Sequence, residues 1–299
     1  MTGRFALEEV DGRILPSIRL EGPLEGEISR REVLRHWPVD FALGARDWIR
    51  ESILDGRLSN AMLRLDIPAS AIAERQLADE HLSLAFDFAE ADVRYVSTMT
   101  PLLGLSGEAE LRGNSLSLSG QDASIGALAI DTIFVELPRL NPKGAMARFG
   151  GTGTGALEGV LTLLSEPPLL LAESYGLEPD LFSGNGEMSF EIRRPMYRDV
   201  PAEDIGFQIN GQFEDVSAPT GVEGIDLDEG SVSISATENG LTAQGSANLV
   251  GSQIEVEWFE SFGLEDGEPS TRVLASGAMT GRGLDRLGLP ARRFLDGVV

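Results

Sequence analysis

His81-Leu-Ser-Leu-Ala-Phe-Asp-Phe-Ala-Glu-Ala-Asp-Val93 is the stretch whose pattern decides the fold. Leu82, Leu84, Phe86 and Phe88 alternate with small or polar residues, the period of a strand that turns one apolar face to a core. A related string returns 123 residues later as Asp204-Ile-Gly-Phe-Gln-Ile-Asn-Gly-Gln-Phe-Glu-Asp-Val216, and Gly107 meets Gly230 at the same offset. A Pro-containing apolar stretch of helical character precedes each copy, Val33 to Leu54 in one and Leu161 to Leu177 in the other. Repetition of one supersecondary unit implies stacked β architecture, in which function belongs to a continuous surface rather than to a pocket.

Working outward, Arg4 to Val10 and Ile14 to Glu21 read as strands joined at Asp11-Gly12, a dipeptide that favours hairpin turns. Ser29 with Glu32 has capping-box spacing, and Pro38 is expected to divide the following helical stretch, leaving a helix from Ala42 to Leu54 stopped by Gly56. From Arg57 the period becomes two, through Ala61, Leu63, Leu65 and Ile67. Shorter strands are expected at Gly107 to Arg112, Ser115 to Gly120, Ala127 to Asp131 and Ile133 to Leu137, with a turn at Arg112-Gly113-Asn114. Gly150-Gly-Thr-Gly-Thr-Gly155 reads as a flexible junction, followed by a strand over Ala156 to Leu164 and a helix over Leu169 to Tyr175. Alternation resumes at Met188, Phe190 and Ile192, then at Ile205, Phe207 and Ile209, at Val232 and Ile234, and at Ile254, Val256 and Trp258. The expected fold is mainly β: a repeated, curved, largely antiparallel sheet, groove-like and elongated, with short helices between repeats. Its parts are residues 1–28 as the tail of a preceding unit, 29–150 and 151–270 as two repeats, and 271–299 as the start of a truncated third.

Composition narrows the function. With 48 acidic and 24 basic residues the formal charge is -24, and Lys143 is the sole lysine, so phosphate-backbone binding is disfavoured and no nucleic-acid partner is expected. The absence of cysteine removes disulfides, thiolate nucleophiles and Cys-based metal sites. No signal-peptide pattern opens the chain, and no uncharged apolar run is long enough to span a membrane, so any anchor is expected outside these residues.

The chemical motifs are weak. Gly151-Thr-Gly153-Thr-Gly155-Ala156 has the G-x-G-x-x-A spacing of a dinucleotide loop, but it lacks the buried parallel strand and the following acidic residue which that chemistry requires. Asp226-Leu-Asp228-Glu-Gly230 resembles the start of a calcium loop with the glycine one residue early, and reads as a solvated turn. His36 and His81 are the only histidines and have no companions at ligand spacing, while acidic pairs such as Asp79-Glu80 arise by chance among 48 acids. No enzyme, metal or cofactor is expected. The alternating strands fit either a closed sandwich or an open sheet with an apolar trough, and periodicity by itself favours the sandwich.

One segment favours the trough. Leu34-Arg-His-Trp37-Pro38, then Gly44-Ala-Arg46-Asp-Trp48, then Gly56 leading into alternating strands resembles the signature of the AsmA-like superfamily, nearest the YhdP branch and more distantly TamB. The second copy departs from it, with Glu166-Pro167-Pro168 where Trp-Pro would stand. The resemblance implies an internal piece of a long periplasmic bridge that is tethered to the inner membrane by a segment outside this chain. Such bridges carry phospholipid toward the outer membrane along a β-groove. The implied partners are phospholipid acyl chains, the remaining repeats of the parent chain, and both membranes through other segments. The implied lining is Leu63, Leu65, Leu84, Phe86, Phe88, Phe190, Ile192, Ile205, Phe207, Ile209, Val232 and Ile254, with Trp37, Pro38, Gly44, Arg46, Trp48 and Gly56 as structural motif residues. The alternatives are an envelope assembly module with a closed β core and no ligand, or a carbohydrate-active β-solenoid, which would need acids clustered on one face.

Overall fold

A computed structural model describes residues 1–37, 43–74, 77–171, 175–197, 199–262 and 270–289. Pro38 lies outside them, as does part of the helix expected over Leu169 to Tyr175. The strands among these residues are β1 (Thr2–Val10), β2 (Arg13–Pro23), β3 (Ile28–Ser29), β4 (Ile53–Ile67), β5 (Leu82–Val93), β6 (Leu102–Arg112), β7 (Ser115–Ile125), β8 (Leu128–Leu137), β9 (Met146–Ala156), β10 (Ser183–Pro195), β11 (Gly206–Val222), β12 (Ile225–Thr237), β13 (Gly240–Leu249), β14 (Ser252–Ser261) and β15 (Thr271–Gly277). They follow one another in sequence order in a single antiparallel sheet that is not closed, with β3 pairing β4 off the main path. The helices are short: α1 (Arg30–His36), α2 (Leu43–Ser52), α3 (Ala69–Glu74), α4 (Leu157–Ser165) and α5 (Gly281–Arg286). Two compact units divide the chain, one of Met1–Ile125, Ile130–Gly151 and Ile192–Ile205, the other of Gly126–Ala129, Thr152–Glu191 and Gly206–Val299.

Local chemistry explains the first elements. Asp11 and Gly12, both at positive φ, close the β1–β2 hairpin with Val10 opposite Arg13. Ser29 and Glu32 form a reciprocal capping box on α1, and the hydrogen bonds from Ser29 hold the Glu32 carboxyl below its ordinary value.

Where the pattern is ambiguous, the fold decides differently from the sequence. The strand expected from Arg57 begins at Ile53, directly after α2, and the two short strands expected over 127–137 are one, β8. Ala156 to Leu164 is no strand: Leu157, Val160, Leu161 and Leu164 recur at helical spacing, and Leu157 and Leu161 bury one face of α4. The glycine run at 150–155 is no flexible junction either. It lies in β9 with Gly150, Gly151 and Gly153 buried, and a Cβ at Gly155 would come 2.7 Å from Leu128 Cδ2, so glycine lets β9 lie close to its neighbour. Asp226 to Gly230 is strand rather than turn, with Asp226 and Asp228 exposed and Asp228 accepting a hydrogen bond from the Ser217 hydroxyl at 3.3 Å.

The two matching stretches share one backbone feature, at a different register from the sequence match. In the first unit Phe88 faces Gly107, and the next paired residue is Ala91 opposite Leu105; in the second, Phe213 faces Val232, and Val216 follows opposite Gly230. Each strand therefore carries an extra residue, and within it Glu90 and Asp215 adopt left-handed φ of 52° and 54°. Matched by this bulge, Phe88 corresponds to Phe213 and the offset is 125 rather than 123. A positive-φ glycine abuts each bulge: a Cβ on Gly56 (φ 136°) would come 3.0 Å from Ala91 Cα, and one on Gly184 (φ 128°) 3.2 Å from Val216 Cα. Gly56 in the family-like motif is thus fixed by close backbone approach.

Phe88, 6% exposed, centres a cluster with Leu102, Leu105, Ala109, Ala123 and Ile130; Phe213, 2% exposed, centres another with Leu157 and Leu161 of α4. Phe213→Ala should lower stability by about 3–5 kcal/mol in urea denaturation. At the bulge, Asp215→Val should cost about 1–3 kcal/mol because a β-branched side chain resists positive φ, whereas Asp215→Gly should change stability by less than about 0.5 kcal/mol.

Candidate lipid-contacting faces

In the first unit, strand register places the expected apolar residues in cross-strand rows. Leu20, Leu65 and Leu82 form one, Leu63, Leu84, Leu111 and Leu116 the next, and Phe86, Ala109 and Leu118 a third. These rows share one face because directly opposed residues in an antiparallel ladder point the same way. Leu63, Leu65, Leu84 and Phe86 are half-buried, whereas Phe88 is in the core. Ile192 and Ile205, in the same unit, are also half-buried.

In the second unit Ile209, Ala236 and Leu241 lead to Glu260; Gly211, Ile234, Ala243, Trp258 and Val273 form a second row; Phe213, Val232, Gly245, Val256 and Ala275 form a third. Phe190, Phe207, Ile209 and Val232 are half-buried and Ile254 is buried, with Val232 packed against the α4 cluster. Each unit thus has a compact apolar centre beside the bulge and apolar rows running from it, half-buried in the first unit and reaching exposed Val273 and Ala275 on β15 in the second.

The remaining motif residues lie elsewhere. Helices α1 and α2 pack on each other and on β4, yet bury none of their own described residues. Arg30 ties them to the sheet by donating to the carbonyls of Leu54, at 3.3 Å, and Arg50. Trp37 is half-buried at the end of α1, Trp48 is 51% exposed, Gly44 has open space where a Cβ would sit, and Arg46 Nε is shielded without a hydrogen-bond partner among the described residues.

Neither histidine converges with other reactive groups. His36 Nδ1 meets the Glu32 carbonyl at 2.9 Å, and His81 Nδ1 accepts from the Ala78 amide at 3.1 Å. Asp79 is engaged by the Asn114 amide and the Ser115 hydroxyl at the β6–β7 turn. No group of three or more metal-ligating side chains occurs among the described residues, and no helix there is long and apolar enough to cross a membrane.

One cluster escaped the sequence pattern. Glu260, 4% exposed, closes the row of Ile209, Ala236 and Leu241, and its carboxylate accepts from the Thr271 hydroxyl. Two residues before it on the same face, Trp258 meets Tyr175 edge-to-face at 6.2 Å between ring centroids. Burial pushes the Tyr175 phenol above its ordinary value, and the negative charge of Glu260 adds to the shift.

A model of the family described as YhdP protein matches residues 2–299. The chain belongs to that family. No curated protein and no solved structure matches it. The match covers both units of this YhdP-family chain, including the second copy, which lacks the Trp-Pro and Gly-Ala-Arg-x-Trp signature.

The folded state holds the Tyr175 proton more tightly than the unfolded chain does, so stability should fall as pH rises through and above the ordinary tyrosine range. In a Tyr95→Phe, Tyr197→Phe background, ultraviolet titration of the phenolate should show Glu260→Gln moving Tyr175 part of the way back, with the burial contribution remaining.

Proposed function

We propose that this chain is a non-enzymatic segment of an AsmA-like envelope protein and that its half-buried apolar rows contact phospholipid acyl chains during transport between the inner and outer membranes. The observation that carries the reading is the run of half-buried Leu63, Leu84, Leu111 and Leu116 across four successive strands, with Phe86 and Leu118 in the next row. An acyl chain laid on such a surface gains about 0.8 kcal/mol per buried CH₂, so a conduit requires an apolar lining that continues from strand to strand and no reactive group at all. Membership of the YhdP family supports the assignment. On this reading the segment is periplasmic and tethered to the inner membrane by a part of the parent protein outside these residues.

The second reading, an assembly module with a closed core and no ligand, is favoured by the buried clusters around Phe88 and Phe213. Site-specific photocrosslinking separates the two. A photoreactive amino acid at Leu84 or Phe207 should give lipid adducts in cells, and Leu84→Asp or Phe207→Asp should reduce labelling from neighbouring positions at least severalfold while the chain stays folded. Full labelling in both acidic variants would overturn the conduit and leave the assembly module.

A further inference from the structure

We infer that Glu260, Trp258 and Tyr175 form a binding site for an alkylammonium group, the cationic headgroup of an aminophospholipid whose tails lie on the adjoining apolar rows. The inference rests on the lipid-contact reading above and adds a headgroup preference to it.

A carboxylate can accept about four hydrogen bonds, and one this buried is costly unless its capacity is used. Among the described residues Glu260 has only the Thr271 hydroxyl as donor and no cationic partner, although it stands on the apolar face at the end of the row from Ile209 through Leu241. The corresponding strand of the first unit, β8, offers a control. Its Glu136 is exposed and paired with Arg148 at 2.8 Å, so there the charge is matched within the chain. In the second unit the acid at the same strand position is buried, two residues after Trp258 on the same face.

The rings suit a cation. The faces of Trp and Tyr attract ammonium groups, and Trp258 stands two residues from Glu260 on the same face, with the Tyr175 ring roughly perpendicular to it. The shielded Trp258 Nε1 has no hydrogen-bond partner among the described residues and is left to donate to an oxygen of the same headgroup. Tyr175 is 39% exposed, so the cluster reaches solvent through it. A primary ammonium would donate to the carboxylate while its substituents rest on the rings.

The test uses the full 299-residue chain carrying Trp37→Phe and Trp48→Phe, so that Trp258 fluorescence reports the site. The probes are monomeric dihexanoyl phosphatidylethanolamine, dihexanoyl phosphatidylglycerol and ethylammonium chloride. The ethanolamine lipid should bind about tenfold more tightly than the glycerol lipid, the scale of one charge-assisted hydrogen bond, and Glu260→Gln should bring the ratio close to one. Thermal unfolding of Glu260→Gln should occur at an equal or higher temperature, since a buried charge has been removed. Trp258→Phe, which keeps an apolar ring and, leaving no tryptophan in this background, is measured by isothermal titration calorimetry, should lower the ratio severalfold by weakening the cation contact. Equal affinities in the parent chain, or a preference that survives Glu260→Gln, would overturn this inference and leave acyl-chain contact standing. Ethylammonium binding as tightly as the ethanolamine lipid would show a small-amine site and overturn the headgroup assignment. Failure of both lipids to bind would overturn the lipid reading itself.

Discussion

The pleat of an antiparallel strand assigns successive side chains to opposite faces, and keeping apolar residues on one face past each bulge is the constraint on which this fold depends. In β5 the apolar phase is even from Leu82 to Phe88 and odd at Ala91 and Val93, because the extra residue at the bulge shifts it by one. In β11 it changes the other way, from Ile209 and Phe213 to Val216. Asn60 in β4, Gly104 in β6, Asp122 in β7 and Glu229 in β12 also have positive φ, and in each strand the apolar positions change parity there. The non-glycine members accept roughly 1–2 kcal/mol of local strain. Without the shift, half of each long strand would turn its apolar residues outward.

The polar network follows from the bulges. Where a bulge interrupts the ladder, side chains replace the missing partners: the Glu90 backbone amide donates to the Ser106 hydroxyl at 3.2 Å and the Gly104 backbone amide to Asp92 at 2.9 Å, while the Asn60 side chain donates across the strands to the Asp87 carboxylate at 2.6 Å. Ion pairs such as Arg19 with Asp66 and Arg57 with Glu90 lie at the surface, where each contributes about 0–1 kcal/mol. Burial at Phe88 and Phe213 outweighs them. The acidic excess accordingly acts on solubility and on the choice of partners more than on the stability of the sheet.

The two units treat a shared plan differently. Both place a phenylalanine before the bulge and a positive-φ glycine against it, yet the second covers its phenylalanine with α4, while the cluster of the first is built from its own strands. The acid on the strand after the third hairpin is matched by arginine in one unit and buried beside aromatic rings in the other. The backbone device is shared while the faces differ.

Strong alternation made β5, β4 and β14 legible in sequence, because Leu, Phe, Ile and Trp contrast sharply with their neighbours. In β13 the inward residues include Ala243, Gly245 and Ala247, whose contrast is too weak to read, and the glycines of β9 mark a strand only when a neighbour lies close enough to require them. For the same reason Leu63, Leu65, Leu84 and Phe86 stood out in the sequence, whereas the Glu260 cluster did not, since Tyr175 is distant in sequence from β14 and only packing brings it to Trp258. The sequence by itself determined the β class, the capped first helix, the repetition and the apolar phase of the strongest strands, all of which depend on local periodicity and turn chemistry. Only the tertiary structure decided the register of the repeat, the parity shifts and the buried acid, because these depend on which backbone atoms lie opposite one another across the ladder.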